Sequence, residues 1–279
     1  MLNIKTLLTG ILLFTSSYSF AFSVESAKDE IKKNGTATWK SHSDAITKYI
    51  ENEKDNETVK IWEKLNDLYA KDSEKEIRDI IFNPKSGKEA IAHANWLRWM
   101  ILANNADGRY IYEYSYLIDL AYKAGNKQLK NDSIIFFVLA HLSTEMDSLY
   151  CADKSARRVI TNKYEIEPHM QALNEQKSKY SKKEMLNYVF NALSIEELRG
   201  ARKPLAVYCQ YSNNSILQAI KLGRTPKIET VQDGPMKGIT IASDFSIDTS
   251  DIPQEYISKE DFLQEREQYI NSVIGAFTD

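Results

Sequence analysis

Residues 86–105, SGKEAIAHANWLRWMILANN, restrict the fold more than any other stretch of the chain. Wound as a helix they are apolar nearly all round, interrupted by Asn95 and Arg98, and such a helix must be covered on most sides. The flanking sequence supplies amphipathic helices to do so. From Thr58, TVKIWEKLNDLYA places Val59, Trp62, Leu65, Leu68 and Tyr69 three or four apart, which makes one apolar face.

The next segment, DGRYIYEYSYLIDLAYKAG (107–125), alternates tyrosines at 110, 112, 114 and 116 and could be read as a strand. Beyond Tyr116 the alternation fails at Leu117, Ile118 and Leu120. At about 100° per residue, Tyr110, Tyr114, Leu117, Ile118 and Ala121 share one side, opposite Ser115, Asp119 and Lys123. A helix is predicted, entered from Asp107-Gly108 and stopped at Gly125-Asn126. DSIIFFVLAHLSTEMDSLY (132–150) predicts another, with Asp132 or Ser133 as N-cap and Ile134, Val138, Leu142, Met146 and Leu149 on one face. A further helix follows Cys151 to about Asn162. Residues 181–200 carry a capping box, Ser181 with Glu184, and a Gly200 stop.

From Arg224 to Tyr256 the chain turns loop-like, with Pro226, Pro235 and Pro253 and a short hairpin, IETV with GITIA, around Asp233-Gly234. A final helix starts at Ser258 and docks through Phe262, Tyr269, Ile270, Val273, Ile274 and Phe277. The expected fold class is all-α, built of antiparallel helix hairpins. The organisation is a signal peptide (1–21), a helical domain (22–223), a loop-rich arm (224–257) and a C-terminal helix (258–279) packed on the helical domain. The pair 109–124 and 132–150 has the size of one tetratricopeptide or Sel1-type unit, about 34 to 40 residues. The defining Trp-Leu-Gly-Tyr or Ala-Pro pattern does not recur at a fixed period, so the resemblance covers α-solenoid-like stacking alone.

The first residues carry Lys5, an apolar run from Leu7 to Phe14, and small side chains ending at Ala21, the three-part plan of a secretory signal peptide cleaved after Ala21. The run is shorter than the roughly 20 apolar residues a membrane span needs. Expected localisation is periplasmic or secreted, with no stable membrane insertion. Cleavage removes one lysine and no acid, moving the formal net charge from −3 to −4. That mixed, mildly acidic balance argues against nucleic acid, which rewards a basic stripe. Cys151 and Cys209 are the two cysteines, and in an exported chain they read as a disulfide.

Catalytic motifs are scarce. Glu89 and His93, and likewise His141 and Glu145, stand four apart on predicted helices, and two such helices facing each other would hold a metal ion. Di-iron bundles use a three-residue Glu-x-x-His step instead, and His93 shares its side with Trp96, Leu97 and Met100, the company of a core histidine. No Gly-x-Ser-x-Gly turn or glycine-rich phosphate loop occurs, and a disulfide would consume the cysteine nucleophile. Adjacent acids such as Glu196 and Glu197 point apart, unlike a glycosidase pair about 5 to 9.5 Å across a cleft. No residue is singled out as catalytic and no cofactor is implied.

What remains is aromatic surplus. Tyr110, Tyr114 and Trp96 read as core, whereas Tyr112 and Tyr116 fall outside that face and, with Arg109, form the expected contact patch. The functional expectation is an exported helical protein, more a binder than an enzyme, that takes a protein or peptide partner in the cell envelope. An immunity or inhibitor protein is one form of it. The alternative is an envelope enzyme, metal-dependent through Glu89, His93, His141 and Glu145 or acting on cell-wall sugar.

Overall fold

The computed structural model describes residues 23–157, 159, 161, 175, 179–225, 228–230, 240–242 and 247–278 of the 279. The expected signal peptide and the hairpin turn at Asp233-Gly234 lie outside them, as do residues 158, 160 and 162 of the helix expected after Cys151, whose described start is a 3-10 turn at Lys154–Ala156. The fold is all-α, as expected, with one short strand pair. No described helix is long and apolar enough to cross a membrane.

Local signals explain most helix starts. Helix α1 (Val24–Asn34) is capped by the Ser23 hydroxyl, which accepts from the Ser26 backbone N–H at 3.2 Å. A π-helical turn, Gly35–Trp39, leads straight into α2 (Lys40–Asn52). Asp55 caps α3 (Asn56–Ala70), and α4 (Glu74–Phe82) follows. Ser86 caps α5 (Gly87–Ala103) and Asp107 caps α6 (Gly108–Lys123). A 3-10 turn at Lys127–Leu129 runs into α7 (Lys130–Ser148). The capping box of Ser181 and Glu184 opens α8 (Lys182–Arg199), and Gly200 ends it with φ +67°. Short α9 (Ala206–Cys209), α10 (Asn213–Lys221) and α11 (Lys259–Thr278) complete the set. Strands β1 (Ile228–Thr230) and β2 (Thr240–Ala242) pair antiparallel, with Glu229 opposite Ile241.

The chain divides into two compact units, the first drawn from the spans Met1–Leu142, Pro168–Gly200 and Asn271–Asp279, the second from Ser143–Glu167 and Ala201–Ile270. The expected 22–223 body thus contributes to both.

In the first unit α5 is the hub, packed by α2, α3, α4, α6 and α8. Trp96, Leu97 and Ile101 are fully buried on it. The indoles keep their polar tips satisfied: Trp62 Nε1 donates to the Ala92 carbonyl and Trp96 Nε1 to Asn66 Oδ1, both at 2.8 Å. Gly35 is required where the π-helical turn meets α8, because a Cβ there would lie 2.6 Å from the Ser194 carbonyl oxygen.

The second unit is closed by the Cys151–Cys209 disulfide, S–S 2.00 Å and Cα–Cα 5.3 Å. Beside it Tyr150 stacks on Phe262, rings parallel at 3.5 Å, while the Tyr150 hydroxyl donates to the Arg202 carbonyl. Arg202 Nε in turn donates to both Asp147 carboxylate oxygens, at 2.9 and 3.1 Å, so the buried guanidinium and carboxylate are matched.

Candidate functional site

The expected contact patch does not form on the surface. Residues 106–115 are all buried, because α6 is covered on several sides and not on one face only. Its alternating tyrosines go to different helices. Tyr110 meets Tyr69 of α3 and Trp96 of α5, and Tyr112 meets Phe137 and His141 of α7. Tyr114 meets Phe136 of α7, and half-buried Tyr116 lies against Phe82 of α4. Arg109 is interior too. Its guanidinium reaches Asp107, Glu74 and Asp72, and the pairs Arg78 with Glu113 and Lys123 with Asp119 neutralise the remaining α6 acids. Of the charges that mark a solvent face in projection, Asp119 is buried and ion-paired to Lys123, which stays exposed.

The metal quartet is not assembled either. His93 is fully buried with Nδ1 3.3 Å from the Ile81 carbonyl, and burial pushes its pKa down, so it serves the core as a neutral ring. His141 packs edge-on against Phe137 and Tyr112 at 4.6 and 5.2 Å. Glu89 accepts from the Lys85 backbone N–H in the turn before α5, and Glu145 is half-buried on α7. Among the described residues no group of three or more His, Cys, Asp or Glu side chains is placed to hold a metal ion. The disulfide forms between the two cysteines expected to make it.

The structure instead draws attention to two features that the sequence reading passes over. The first is a junction of α2, α5, α6 and α7 around Asp132. The 3-10 turn starts α7 earlier than expected, so Asp132 is no N-cap; it sits in the first turn with its side chain buried, 3 % exposed. Phe136, one turn on, contacts Tyr114 at 4.7 Å and Trp39 at 6.2 Å, both edge-on, and Trp39 lies 5.3 Å from His42. Neither Asp132 Oδ1 nor Trp39 Nε1 has a hydrogen-bond partner among the described residues. Burial pushes the Asp132 carboxyl up to about 7 against the opposing pull of Arg98, and pushes the Tyr114 hydroxyl up to about 12. Burial, then the Arg98 charge, lowers His42. Chemically the junction is a buried acid whose protonated form its surroundings favour, against the opposing charge of half-buried Arg98.

The second is α10, whose amphipathicity is inverted. Ser212, Ser215 and Ala219 are buried, while Leu217, Ile220 and the following Leu222 are 54 %, 49 % and 65 % exposed. The helix is firmly mounted. Ser212 caps it, Ser155 Oγ and Asp153 Oδ2 accept from the backbone N–H groups of Asn213 and Asn214, and Ser215 donates to Gln254. The disulfide at Cys209 anchors the chain just ahead. In NNSILQAIKLG the residues that pack inward, Ser215 and Ala219, are small enough for close approach.

Comparison with known proteins finds no matching family, no similar curated protein and no similar solved structure.

Proposed function

We propose that this chain is an exported, mostly helical binding protein of the cell envelope that takes a protein or peptide partner on the outward face of α10. The carrying observation is the inverted helix: Leu217, Ile220 and Leu222 face outward from a helix whose small, hydrogen-bonded side is fixed inward. Exposed apolar side chains grouped on a rigid mount are the physical signature of a contact surface, since each excludes water only when a partner covers it. The N-terminal apolar segment and the Cys151–Cys209 disulfide support an oxidising destination such as the periplasm.

The test is affinity capture from an extract of the protein's own cell envelope, comparing the parent chain with a Leu217→Ser, Ile220→Ser double variant. The parent should retain a stoichiometric partner that the variant releases, with the far-ultraviolet circular dichroism unchanged. Retention of the same partner by both proteins removes α10 from the interaction. Absence of any partner, in an extract whose control complexes are intact, removes the binding reading itself.

A further inference from the structure

Outward-facing apolar side chains concentrate in the second unit, where they form two groups edged by opposite charge. Leu120 apart, every exposed large apolar side chain among the described residues lies there: Leu205, Leu217, Ile220 and Leu222 on one stretch, Tyr256 and Leu263 on another. The first stretch is cationic. From Leu198 to Ile228 the chain has no Asp or Glu, and of its cations Arg199, Arg202 and Arg224 are paired with Glu196, Asp147 and Asp251. Lys203 and Lys221 are exposed and outside any ion pair among the described residues, and Lys221 follows Leu217 by one helical turn. The second stretch is anionic. Between Asp251 and Leu263 the one cation is Lys259. Asp261 is engaged by Ser258, which leaves Glu255 beside Tyr256 and Glu260 one turn before Leu263, both exposed and outside any ion pair among the described residues.

Both groups hang on the same support. Cys209 precedes α10 and is joined to Cys151, whose backbone bridges Tyr256; the Ala152 N–H donates to the Glu255 carbonyl at 3.1 Å and the Ile257 N–H to the Tyr150 carbonyl at 2.9 Å. Ser215, on the inner side of α10, donates to Gln254 Oε1 at 3.0 Å. The two apolar groups are thus held in fixed positions within one unit. We propose that the occupant of α10 is a second copy of this chain, whose Tyr256–Leu263 stretch covers Leu217, Ile220 and Leu222 while its Glu255 and Glu260 meet Lys203 and Lys221. This rests on the reading of α10 as a contact surface and names what covers it. One two-fold rotation presents each copy's cationic group to the other's anionic group, so the contact is reciprocated and closes as a dimer. Charge selects this occupant. An anionic lipid surface would attract the lysines and be repelled by Glu255 and Glu260, whereas a second copy answers both signs at once.

Sedimentation equilibrium of the intact, oxidised protein tests this. The mass should rise from monomer to dimer with concentration, and added salt should weaken the association. Leu217→Ser with Ile220→Ser should weaken it at least about tenfold. Neither a Lys203→Glu, Lys221→Glu variant nor a Glu255→Lys, Glu260→Lys variant should dimerise alone at concentrations where the parent does. An equimolar mixture of the two should, because opposite charges face each other again only across the mixed pair. All four side chains are exposed and outside any ion pair, so circular dichroism should be the same for every protein. A monomer at every concentration, or a dimer that both charge variants still form, overturns the inference. Envelope capture judges the reading of α10 separately. A monomeric parent whose envelope partner is still released by Leu217→Ser, Ile220→Ser removes the self-contact alone, and a dimer indifferent to that double variant removes α10 as its surface.

Discussion

Asp107 holds Arg109 at three points: its Oδ1 accepts from the Arg109 backbone N–H at 3.0 Å and from Nε at 2.9 Å, while its Oδ2 accepts from a terminal guanidinium nitrogen at 3.0 Å. The carboxylate that caps α6 therefore also fixes the cation in its first turn. The other guanidinium contacts, to Glu74 and Asp72 at 3.0 Å, bind the turn before α4 to the start of α6.

Arg109→Met removes the cation buried beside Asp107 and should destabilise the protein by about 3–5 kcal/mol, measured by urea unfolding. Arg109→Lys keeps the charge without the planar fork and should fall between. A loss below about 1 kcal/mol for the methionine variant would mean the pair holds nothing together.

Asp132 makes stability depend on pH in a defined direction. Its folded pKa, about 7, lies above the ordinary 3.8, so between these values the folded chain keeps a proton that the unfolded chain has released. Stability from this group is present below about pH 4, falls by up to about 1.4 kcal/mol per pH unit, and levels out above about pH 7. His42 works oppositely, because a lowered folded pKa costs stability as pH falls. Subtracting an Asp132→Asn variant isolates the aspartate: the parent should lose ground to the variant between pH 5 and 7. A difference constant with pH contradicts it.

The disulfide spans 58 residues, and in the chain-entropy account closing such a loop contributes about 4 kcal/mol. A Cys151→Ser, Cys209→Ser double variant should shift the urea midpoint accordingly, with near-ultraviolet dichroism reporting the adjacent Tyr150–Phe262 stack. Equal midpoints for parent and variant would show that the bond adds nothing to the native fold.

Two glycine substitutions should act with opposite signs. Gly35→Ala drives a Cβ to 2.6 Å from the Ser194 carbonyl and should cost about 1–3 kcal/mol as α8 is pushed back. Gly275→Ala meets nothing within 4 Å on α11 and should gain up to about 1 kcal/mol from helix propensity. Paired thermal melts distinguish them, and destabilisation by both would place an unseen constraint on α11.

What the sequence made legible was local. The Ser181–Glu184 box and the Gly200 stop depend on neighbours within a turn, and both are present. Helical projection found the buried side of α6 through Tyr110 and Tyr114. It misassigned Tyr112 and Arg109 because part of their cover comes from elsewhere: besides Asp107, Arg109 pairs with residues 35 and 37 positions away. Asp132 reads as a cap because nothing in its own sequence announces that Lys127–Leu129 has already begun the turn. The contact of Gly35 with Ser194 is invisible for the same reason, since a glycine states only that space is needed and not what fills it.

The path of the chain gives the disulfide a consequence for fragmentation. Between Cys151 and Cys209 the backbone leaves the second unit, supplies α8 to the first, and returns. A protease that nicks anywhere between the two cysteines therefore breaks the polypeptide without freeing either product. The halves part company on a denaturing gel only after a reductant is added, so a nicked molecule would run as an intact one until then.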